Sequence, residues 1–334
     1  MTADSTDVHQ LARLADAIAA LRTQVAARVV GQHEAVDGIV TAILGGGHAL
    51  LVGVPGLAKT LMVSTVAEAL ALSFNRVQFT PDLMPGDITG TELVEEDPAT
   101  GKRHFRFVPG PIFASVVLAD EINRTPPKTQ AALLQAMQER TVTVAGQTYP
   151  LPNPFFVLAT QNPIEQEGTY PLPEAQLDRF MLELRVGYPS RSEEEAIVTQ
   201  TTGTHKGSVS QVVDAAALVE MQSLVRRIPV SQSLIAAAVL LARMTRPNEA
   251  EAPSLVREYV EWGAGPRASQ YLVLGAKARA AMDGRPQADL EDVKAIAPAV
   301  LRHRVMTNFS AEAADRSSED VVMELIAEGS WMNG

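Results

Sequence analysis

Apolar residues cluster in five short runs along the first part of the chain, at 49–53, 76–80, 115–119, 155–160 and 180–186. Each run is rich in Val, Leu, Ile or Phe and lacks a clear alternation of apolar and polar positions. This pattern is typical of strands that are buried on both faces of a parallel sheet. Because helical patterns separate the runs, the sequence predicts a doubly wound α/β domain with a five-stranded parallel sheet.

The pattern changes after Gly187-Tyr188-Pro189. We therefore predict an α/β domain over residues 1–189 and an all-helical domain over residues 190–334, with exposed loops at 203–208 and 245–253 and no further strand. The segment 1–10 is polar and acidic, carries no signal-peptide pattern, and is expected to be frayed before a helix at 11–30. The helical stretches predicted in the second domain are 192–200, 214–227, 231–245, 269–282, 290–297 and 311–327.

Two hairpins are expected to be inserted in the α/β domain. Short extended runs at 89–94 and 103–108 flank a turn at 97–101 that contains Asp, Pro and Gly. A second pair of runs, at 141–145 and 147–151, flanks Gly146 just before the fourth apolar run. Both pairs have the spacing of antiparallel strands joined by a short loop.

Composition narrows the classes of function. The chain has 334 residues, of which 46% are hydrophobic and 20% charged, as expected for a globular protein of two domains. It has no cysteine, which excludes disulfides and thiolate zinc sites, and its six histidines form no cluster with ligand spacing. The net charge of −11 disfavours nucleic acid as the main partner. No apolar run is long enough for a membrane span, and we expect a cytoplasmic protein.

A glycine-rich segment follows the first apolar run and precedes a helical stretch at 61–72; it reads Gly53-Val-Pro-Gly-Leu-Ala-Lys-Thr60. Gly53 and Gly56 let the backbone curl so that several N–H groups point at phosphate oxygens. Lys59 adds a positive charge toward the β- and γ-phosphates, and the Thr60 hydroxyl can bind Mg²⁺. The following helix directs its N-terminus at the same anion. The segment therefore predicts a site for a nucleoside triphosphate.

Ala58 departs from the usual form of this loop, which has glycine immediately before the lysine. The helix is expected to begin at this point, and helical backbone angles suit alanine. We therefore predict that the loop keeps its shape despite the substitution.

Two carboxylates end the third apolar run. Asp120 would hold Mg²⁺ through water opposite Thr60, since Mg²⁺ favours oxygen ligands and keeps much of its water shell. Glu121 would accept a proton from the water that attacks the γ-phosphate, or orient that water. Asn162 follows the next run and could hydrogen-bond the same water, although Asn before Pro163 also favours a simple turn.

Several basic side chains are further candidates. Arg179 precedes the fifth run and could reach the nucleotide of a neighbouring subunit as an arginine finger; the alternatives are a local salt bridge with Asp178 or a solvated helix end. Arg267 lies near the N-terminus of a helix that begins with Pro266, and either points toward the nucleotide or is merely exposed. Arg124 and Lys128, just after Glu121, are candidates for subunit contacts.

The motifs together resemble the AAA+ superfamily and, within it, the MoxR family, over nearly the whole chain from Val29 to Arg304. The Ala58 substitution is similar to what MoxR proteins carry, whereas Gly263-Ala-Gly-Pro-Arg267 differs slightly from the usual Gly-Ala-Ser-Pro-Arg but keeps the arginine. The stretches that carry the resemblance are Gly53–Thr60, Gln78-Phe-Thr-Pro-Asp-Leu-Met-Pro-Gly-Asp87, Asp120-Glu-Ile-Asn-Arg124, Ala159-Thr-Gln-Asn-Pro163, Gln166-Glu-Gly-Thr-Tyr-Pro-Leu-Pro-Glu-Ala175 and Leu301-Arg302-His303-Arg304.

The resemblance implies a role for each motif. Asp120 and Glu121 match Walker B, Asn162 matches sensor 1, Arg179 the arginine finger and Arg267 sensor 2. The hairpins near 89–108 and 141–151 resemble the helix-2 insert and the pre-sensor-1 insert of one AAA+ clade. The nucleotide-binding residues implied on the adenine side and in Walker A are Val30, Gly31, Gln32, Gly53, Val54, Pro55, Gly56, Leu57, Ala58, Lys59, Thr60 and Leu61.

The resemblance also implies an activity: an ATP- and Mg²⁺-dependent ATPase that forms a homo-oligomeric ring, expected to be a hexamer, and remodels protein partners as a chaperone. A client that contains a von Willebrand factor A domain is a possible partner. Three alternatives stay open at this point: a magnesium-chelatase-like motor subunit, a nucleic-acid motor, which the acidic charge opposes, and a nucleotide-gated scaffold that barely hydrolyses ATP.

Overall fold

The computed structural model describes residues 5–96, 98, 103–165, 168–203 and 207–333. All five predicted core strands are present within two or three residues of the predicted bounds. The strands of this part of the chain are β1 (Ala49–Val52), β2 (Phe74–Gln78), β3 (Gly90–Glu96), β4 (Arg103–Pro109), β5 (Val116–Asp120), β6 (Thr141–Val144), β7 (Gln147–Pro150), β8 (Phe156–Gln161), β9 (Leu182–Arg185), β10 (Val260–Trp262) and β11 (Met306–Thr307).

The central sheet is parallel and has the strand order β2-β5-β8-β1-β9. Parallel pairing places the carboxyl ends of all its strands at one edge, where ligands of open α/β sheets bind. Gln78 at the end of β2 lies in register with Asp120 at the end of β5. The predicted α/β fold with a five-stranded parallel sheet is confirmed.

Both faces of this sheet are covered, which explains the missing alternation in the sequence. Ala49 and Leu51 of β1 belong to one apolar cluster, whereas Leu50 and Val52 belong to a second cluster on the opposite face. All four side chains are at least nine-tenths buried. Because successive strand residues point to opposite faces, only a sheet covered on both sides requires an unbroken apolar run.

Both predicted hairpins are present. Strands β3 and β4 pair antiparallel, as do β6 and β7. The aromatic rings of Phe107 on β4 and Tyr149 on β7 are stacked 4.0 Å apart, so the two hairpins contact each other. Most of the expected turn at 97–101 lies outside the described residues.

The helices of the first part of the chain cover the sheet. The expectation of a frayed segment through residue 10 is wrong for residues 5–10, because α1 begins at Ser5. Asp7 in the first turn of this helix pairs with Arg227, and Leu11 and Leu14 on the next turns are buried. These helices are α1 (Ser5–Ala26), α2 (His33–Gly45), α3 (Lys59–Ala69), α4 (Pro85–Thr89), α5 (Pro127–Glu139) and α6 (Glu174–Leu177).

The second part of the chain is helical but not entirely so. The prediction of no further strand is wrong: β10 and β11 form a short antiparallel sheet, whose strands of three and two residues are too short to show a period. The single helix expected at 311–327 is two helices, separated at Asp315, which has φ +53°, and restarted by the Ser317 cap. The helices are α7 (Arg191–Thr202), α8 (Ala215–Arg227), α9 (Gln232–Met244), α10 (Ser254–Tyr259), α11 (Pro266–Met282), α12 (Leu290–Leu301), α13 (Phe309–Ala313) and α14 (Ser318–Glu328).

The two parts of the chain share apolar packing. One cluster extends from the β1 side of the sheet through α1 and α2 to the buried side chains of α8, α9, α11 and α12. A domain boundary near residue 190 therefore stays a prediction. Within the described ranges, no single helix is long and apolar enough to cross a membrane; one pair, α8 with α9, meets that test together, with a 94° bend between its members.

Candidate functional site

The loop between β1 and α3 depends on a close backbone approach at Gly53 and on positive φ angles at Gly56 and Ala58. A Cβ at Gly53 would lie 2.5 Å from the carbonyl oxygen of Val186, so only glycine allows this approach to the end of β9. Gly56 has φ +85°, and Ala58, the N-cap of α3, has φ +57° and ψ 21°. The expectation of right-handed helical angles for Ala58 is therefore wrong. The residue immediately before the helix has left-handed backbone angles, which explains why glycine is usual at this position. An alanine in this conformation is destabilised by roughly 1–2 kcal/mol.

Lys59 is the first residue of α3 and turns back over the loop. Its ammonium group donates hydrogen bonds to the carbonyl oxygens of Gly53 (2.5 Å) and Val54 (2.8 Å). Burial lowers the pKa of Lys59, while the charges of Asp120 and Glu121 oppose this shift. A phosphate oxygen would offer the same ammonium a charged acceptor, which forms a stronger hydrogen bond than a carbonyl. The lysine is thus already held over the centre of the loop.

The end of β5 presents Asp120 with both carboxylate oxygens in hydrogen bonds. One oxygen accepts from the Thr160 hydroxyl on β8 at 2.5 Å. The other accepts from the Nη2 and Nε of Arg76 on β2, at 2.6 and 2.9 Å. Asp120 is 8% exposed, whereas the Arg76 side chain is 48% exposed. The aspartate is therefore fixed by its neighbours on both sides within the sheet.

Glu121 follows Asp120 with φ +57°, and its N–H donates to the Thr160 hydroxyl at 2.8 Å. Its Oε2 accepts from Gln78 Nε2 at 2.8 Å and from Arg124 Nη1 at 3.1 Å. The hydrogen bond that Arg124 donates to Glu121, together with the charge of that carboxylate, raises the pKa of Arg124. Arg124, a candidate for a subunit contact, contacts Glu121 of its own chain, and its role between subunits stays a prediction. Lys128 is exposed in the first turn of α5.

Three polar residues of this site are not found by the sequence analysis: Arg76, Gln78 and Thr160. Arg76 and Gln78 are two residues apart and both exposed, whereas Val77 between them is buried. This local alternation at the carboxyl end of β2 is the signal that could have identified them. Thr160 has no such signal, because its hydroxyl is buried inside an apolar strand.

A cleft of about 430 Å³ lies at the carboxyl edge of the sheet. It contains most of the predicted site, drawn from the loop after β1 and from the ends of β2, β5 and β8. Asn162 lines it and accepts a hydrogen bond from the Ile164 N–H at 3.2 Å, which fits the turn interpretation; its role toward the attacking water stays a prediction. The lining residues are Pro55, Gly56, Leu57, Ala58, Lys59, Thr60, Leu61, Arg76, Asp120, Glu121, Thr160, Gln161 and Asn162.

The oxygen atoms of Thr60 and Asp120 in this cleft suit Mg²⁺. Within the described residues no group of three Asp, Glu or His side chains could hold a metal ion by itself. Mg²⁺ commonly binds through one or two protein oxygens together with water and substrate phosphates, so this ligand set fits a nucleotide-bound ion rather than a closed protein site.

The segment predicted to bind adenine lies elsewhere. Val30, Gly31 and Gln32 do not line the cleft, and Gln32 Nε2 donates to the Gly187 carbonyl at 2.8 Å. This contact joins the start of α2 to the connection that leads into α7. The adenine-binding role stays a prediction.

Arg179 and Arg267 also lie outside the lining of their own chain's cleft. Arg267 Nη1 is 3.5 Å from the Asp178 carboxylate, which pairs more closely with Arg304 at 2.8 Å. Arg179 forms no ion pair with the carboxylates of the described ranges, so the alternative of a local pair with Asp178 does not hold. Burial lowers the pKa of Arg304, and the Asp178 charge opposes that shift.

The fold and the cleft together define an AAA-type ATPase core with a lid. A model described as "ATPase family associated with various cellular activities (AAA)" matches residues 48–182, and the "AAA lid domain" model matches residues 252–325. A solved structure from Cytophaga hutchinsonii, of a protein classed as a candidate ATPase, has a TM-score of 0.88 and 38% identity over 96% of each chain.

Curated relatives are similar over most of the chain. The "Chaperone MoxR1" of Mycobacterium tuberculosis is 42% identical over 89% of this chain and 78% of that protein. The "Protein MoxR" of Methylorubrum extorquens is 32% identical over 87% of this chain and 88% of that protein. The chain belongs to the MoxR family of AAA+ ATPases.

Proposed function

We propose that this protein hydrolyses ATP in the cleft at the carboxyl edge of the sheet and uses the reaction to remodel protein partners. The observation that carries the proposal is the convergence of Lys59, Thr60, Asp120, Glu121 and Asn162 on one cleft of about 430 Å³. These residues come from the loop after β1 and from the ends of β5 and β8, and they combine a phosphate-binding cation with two carboxylates. Few other reactions require this set.

The loop between Gly53 and Leu61 binds the phosphates through the backbone N–H groups that follow Pro55, and Lys59 exchanges its carbonyl partners for phosphate oxygens. Thr60 and Asp120 would hold Mg²⁺ together with water. When bound, Mg²⁺ neutralises charge on the phosphates and orients the γ-phosphate for attack. Val30, Gly31 and Gln32 are proposed to line the adenine side.

Glu121 acts as the general base or orients the attacking water. Its carboxylate accepts hydrogen bonds from Gln78 and Arg124, and its N–H donates to Thr160, so its orientation is set from both sides. Asn162, from the adjacent strand end, is proposed to hydrogen-bond the same water or the γ-phosphate.

Arg179 and Arg267 are proposed to serve the cleft of a neighbouring subunit. Both flank Asp178, and neither lines the cleft of its own chain. A site that lacks a finger from its own chain is completed when subunits form a ring, for which we propose a hexamer. We assign the two hairpins to the helix-2 and pre-sensor-1 inserts, at which a client protein would be engaged.

The relative from Mycobacterium tuberculosis carries the name chaperone, and we propose a chaperone-like role in the cytoplasm for this chain also. The client is proposed to be a protein with a von Willebrand factor A domain. Loss of γ-phosphate contacts after hydrolysis would change the angle between the core at 1–189 and the helical part at 190–334.

The test compares Glu121→Gln with the wild type. Glu121→Gln should reduce the Mg²⁺-dependent ATPase rate about 10²- to 10⁴-fold, as expected for loss of a general base. Its affinity for a fluorescent ATP analogue should stay unchanged, because Glu121 does not belong to the phosphate loop. Glu165→Gln is the matched control, since Glu165 is a carboxylate 4.0 Å from the same Arg124 but outside the cleft lining. Near-normal hydrolysis by Glu121→Gln would contradict the proposal.

A further inference from the structure

Arg304 is a buried arginine that donates hydrogen bonds to the residues before and after Arg179. It follows α12 by three residues, and only 1% of its side chain is exposed. Its Nη2 donates to the carbonyl oxygens of Asp178 (3.0 Å) and Phe180 (2.5 Å), the residues on either side of Arg179. Its Nε donates to the Asp178 carboxylate at 2.8 Å. One guanidinium therefore holds the peptide group before Arg179 and the peptide group after Phe180.

The burial of the Arg304 guanidinium explains why it has so many hydrogen-bond partners. Burying a guanidinium costs several kcal/mol unless it is paired and its N–H groups are satisfied. Arg304 meets that cost with the Asp178 carboxylate, and its Nη1 donates further to the Met181 carbonyl at 3.3 Å. The Tyr271 ring of α11 lies 5.2 Å from its guanidinium carbon. Because the guanidinium is planar and rigid, these contacts fix the direction in which the Arg179 side chain leaves the backbone.

We propose that Arg304, through Asp178, is the positioning residue for Arg179 and sets the pose in which Arg179 meets the nucleotide of the next subunit. This inference rests on the finger role proposed above for Arg179. The same contact ties the Arg179 segment to α11 and α12, so that movement of the helical part carries the finger with it. Arg267 of α11 also faces Asp178, which places both proposed trans-acting arginines on one support.

Arg302 offers a matched control two residues away. Its side chain is 11% exposed, and it pairs with Glu319 at 3.3 Å and donates to the Pro298 carbonyl at 3.0 Å. None of these partners belongs to the segment 178–181. Replacement of arginine by lysine keeps the charge at either position but removes the planar set of donors.

The experiment measures ATPase activity in rings of mixed subunits. Glu121→Gln subunits cannot hydrolyse ATP but carry an intact Arg179 segment. Arg304→Lys subunits keep an intact cleft but misplace Arg179, and alone they should lose about 10²-fold in rate, the order of effect of a 1 Å misplacement. Mixing the two should restore activity well above the sum of their separate rates. The affinity of Arg304→Lys for a fluorescent ATP analogue should equal that of the wild type, and Arg302→Lys should hydrolyse ATP normally.

The outcomes separate this inference from the function on which it rests. Arg179→Ala, mixed with Glu121→Gln, should also recover; if Arg179→Ala alone is fully active, the finger role fails and this inference falls with it. If Arg179→Ala recovers on mixing and Arg304→Lys does not, Arg304 is merely structural and the inference is overturned. Full activity of folded Arg304→Lys overturns it as well. If Arg304→Lys does not fold, Asp178→Asn answers the same questions, because it removes the charge partner at a half-buried position.

Discussion

Two of the aspartate–arginine pairs in this molecule differ sharply in burial, one in the cleft and one beside Arg179. Asp120 pairs with Arg76 at 2.6 Å, and nearly half of the arginine side chain is exposed. Asp178 pairs with Arg304 at 2.8 Å, and 1% of that arginine is exposed. Arg76 has one further contact, to Gln78, whereas Arg304 donates to several carbonyl groups besides the carboxylate.

The difference in burial determines whether each pair can exchange its partner. Water can solvate Arg76 when it leaves Asp120, so this pair can be exchanged for a metal ion and its water at small cost. Arg304 has no access to water and would leave an uncompensated charge behind, so its pair does not exchange and instead holds a backbone segment in place. The cleft is therefore adaptable, and the support of Arg179 is rigid.

The largest expected difference between the pairs is in stability. Arg304→Met should lower the free energy of unfolding by about 3–5 kcal/mol, since it leaves Asp178 and several carbonyls without their partner. Arg76→Met should cost less, about 1–2 kcal/mol, because the buried Asp120 carboxylate that it leaves behind keeps the hydrogen bond from Thr160. Urea denaturation of both variants measures this, and equal losses would remove the distinction.

Acid should lower the free energy of unfolding in part through His303 beside Arg304; His48 in the sheet domain, where burial lowers the pKa to about 4, contributes as well. Burial, and next the Arg304 charge, lower the pKa of His303 well below its ordinary value, so the folded chain keeps this imidazole neutral. The unfolded chain binds a proton as pH falls through about 6.5, and the native state loses stability from there downward. His303→Gln should show a smaller loss of unfolding free energy between about pH 7.5 and about pH 5.5 than the wild type. His104→Gln, on the exposed hairpin, should behave like the wild type.

The exchangeable pair should influence the Mg²⁺ requirement. Arg76→Gln removes the cation that competes for Asp120, so half-maximal binding of fluorescent ADP should need about three- to fivefold less Mg²⁺, the factor that corresponds to roughly 1 kcal/mol. Arg106→Gln, which breaks a pair with Glu95 on the hairpin, should leave the requirement unchanged. An unaltered Mg²⁺ midpoint for Arg76→Gln would show that the guanidinium does not compete.

The smallest expected effect concerns the loop of the cleft. Ala58→Gly relieves a left-handed alanine and should raise the free energy of unfolding by about 0.5–1 kcal/mol after the extra chain entropy of glycine is counted. Ala236→Gly, in the middle of α9, should lower it by about 1 kcal/mol. In thermal unfolding, the two variants should change the free energy of unfolding with opposite signs if the left-handed angles of Ala58 are strained. Changes of the same sign would show that they are not strained.

The cleft is the part of the site that the sequence predicts well. Its residues lie at the ends of strands that pair in parallel, so the positions of Lys59, Asp120 and Asn162 along the chain already imply that they meet. The support of Arg179 could not be predicted, because Asp178 and Arg304 are 126 residues apart and no period links them. The left-handed angles of Ala58 could not be predicted for a related reason: the sequence indicates where a helix begins, but not the backbone angles of the residue before it.

The most direct test of this account measures the ATPase rate per subunit against protein concentration, with the assembly state followed by analytical ultracentrifugation at each concentration. If Arg179 completes the cleft of a neighbour, the rate per subunit rises in parallel with assembly. Wild-type monomers should bind the nucleotide but hydrolyse it no faster than Arg179→Ala. A rate per subunit that stays constant while monomers give way to rings would contradict the account.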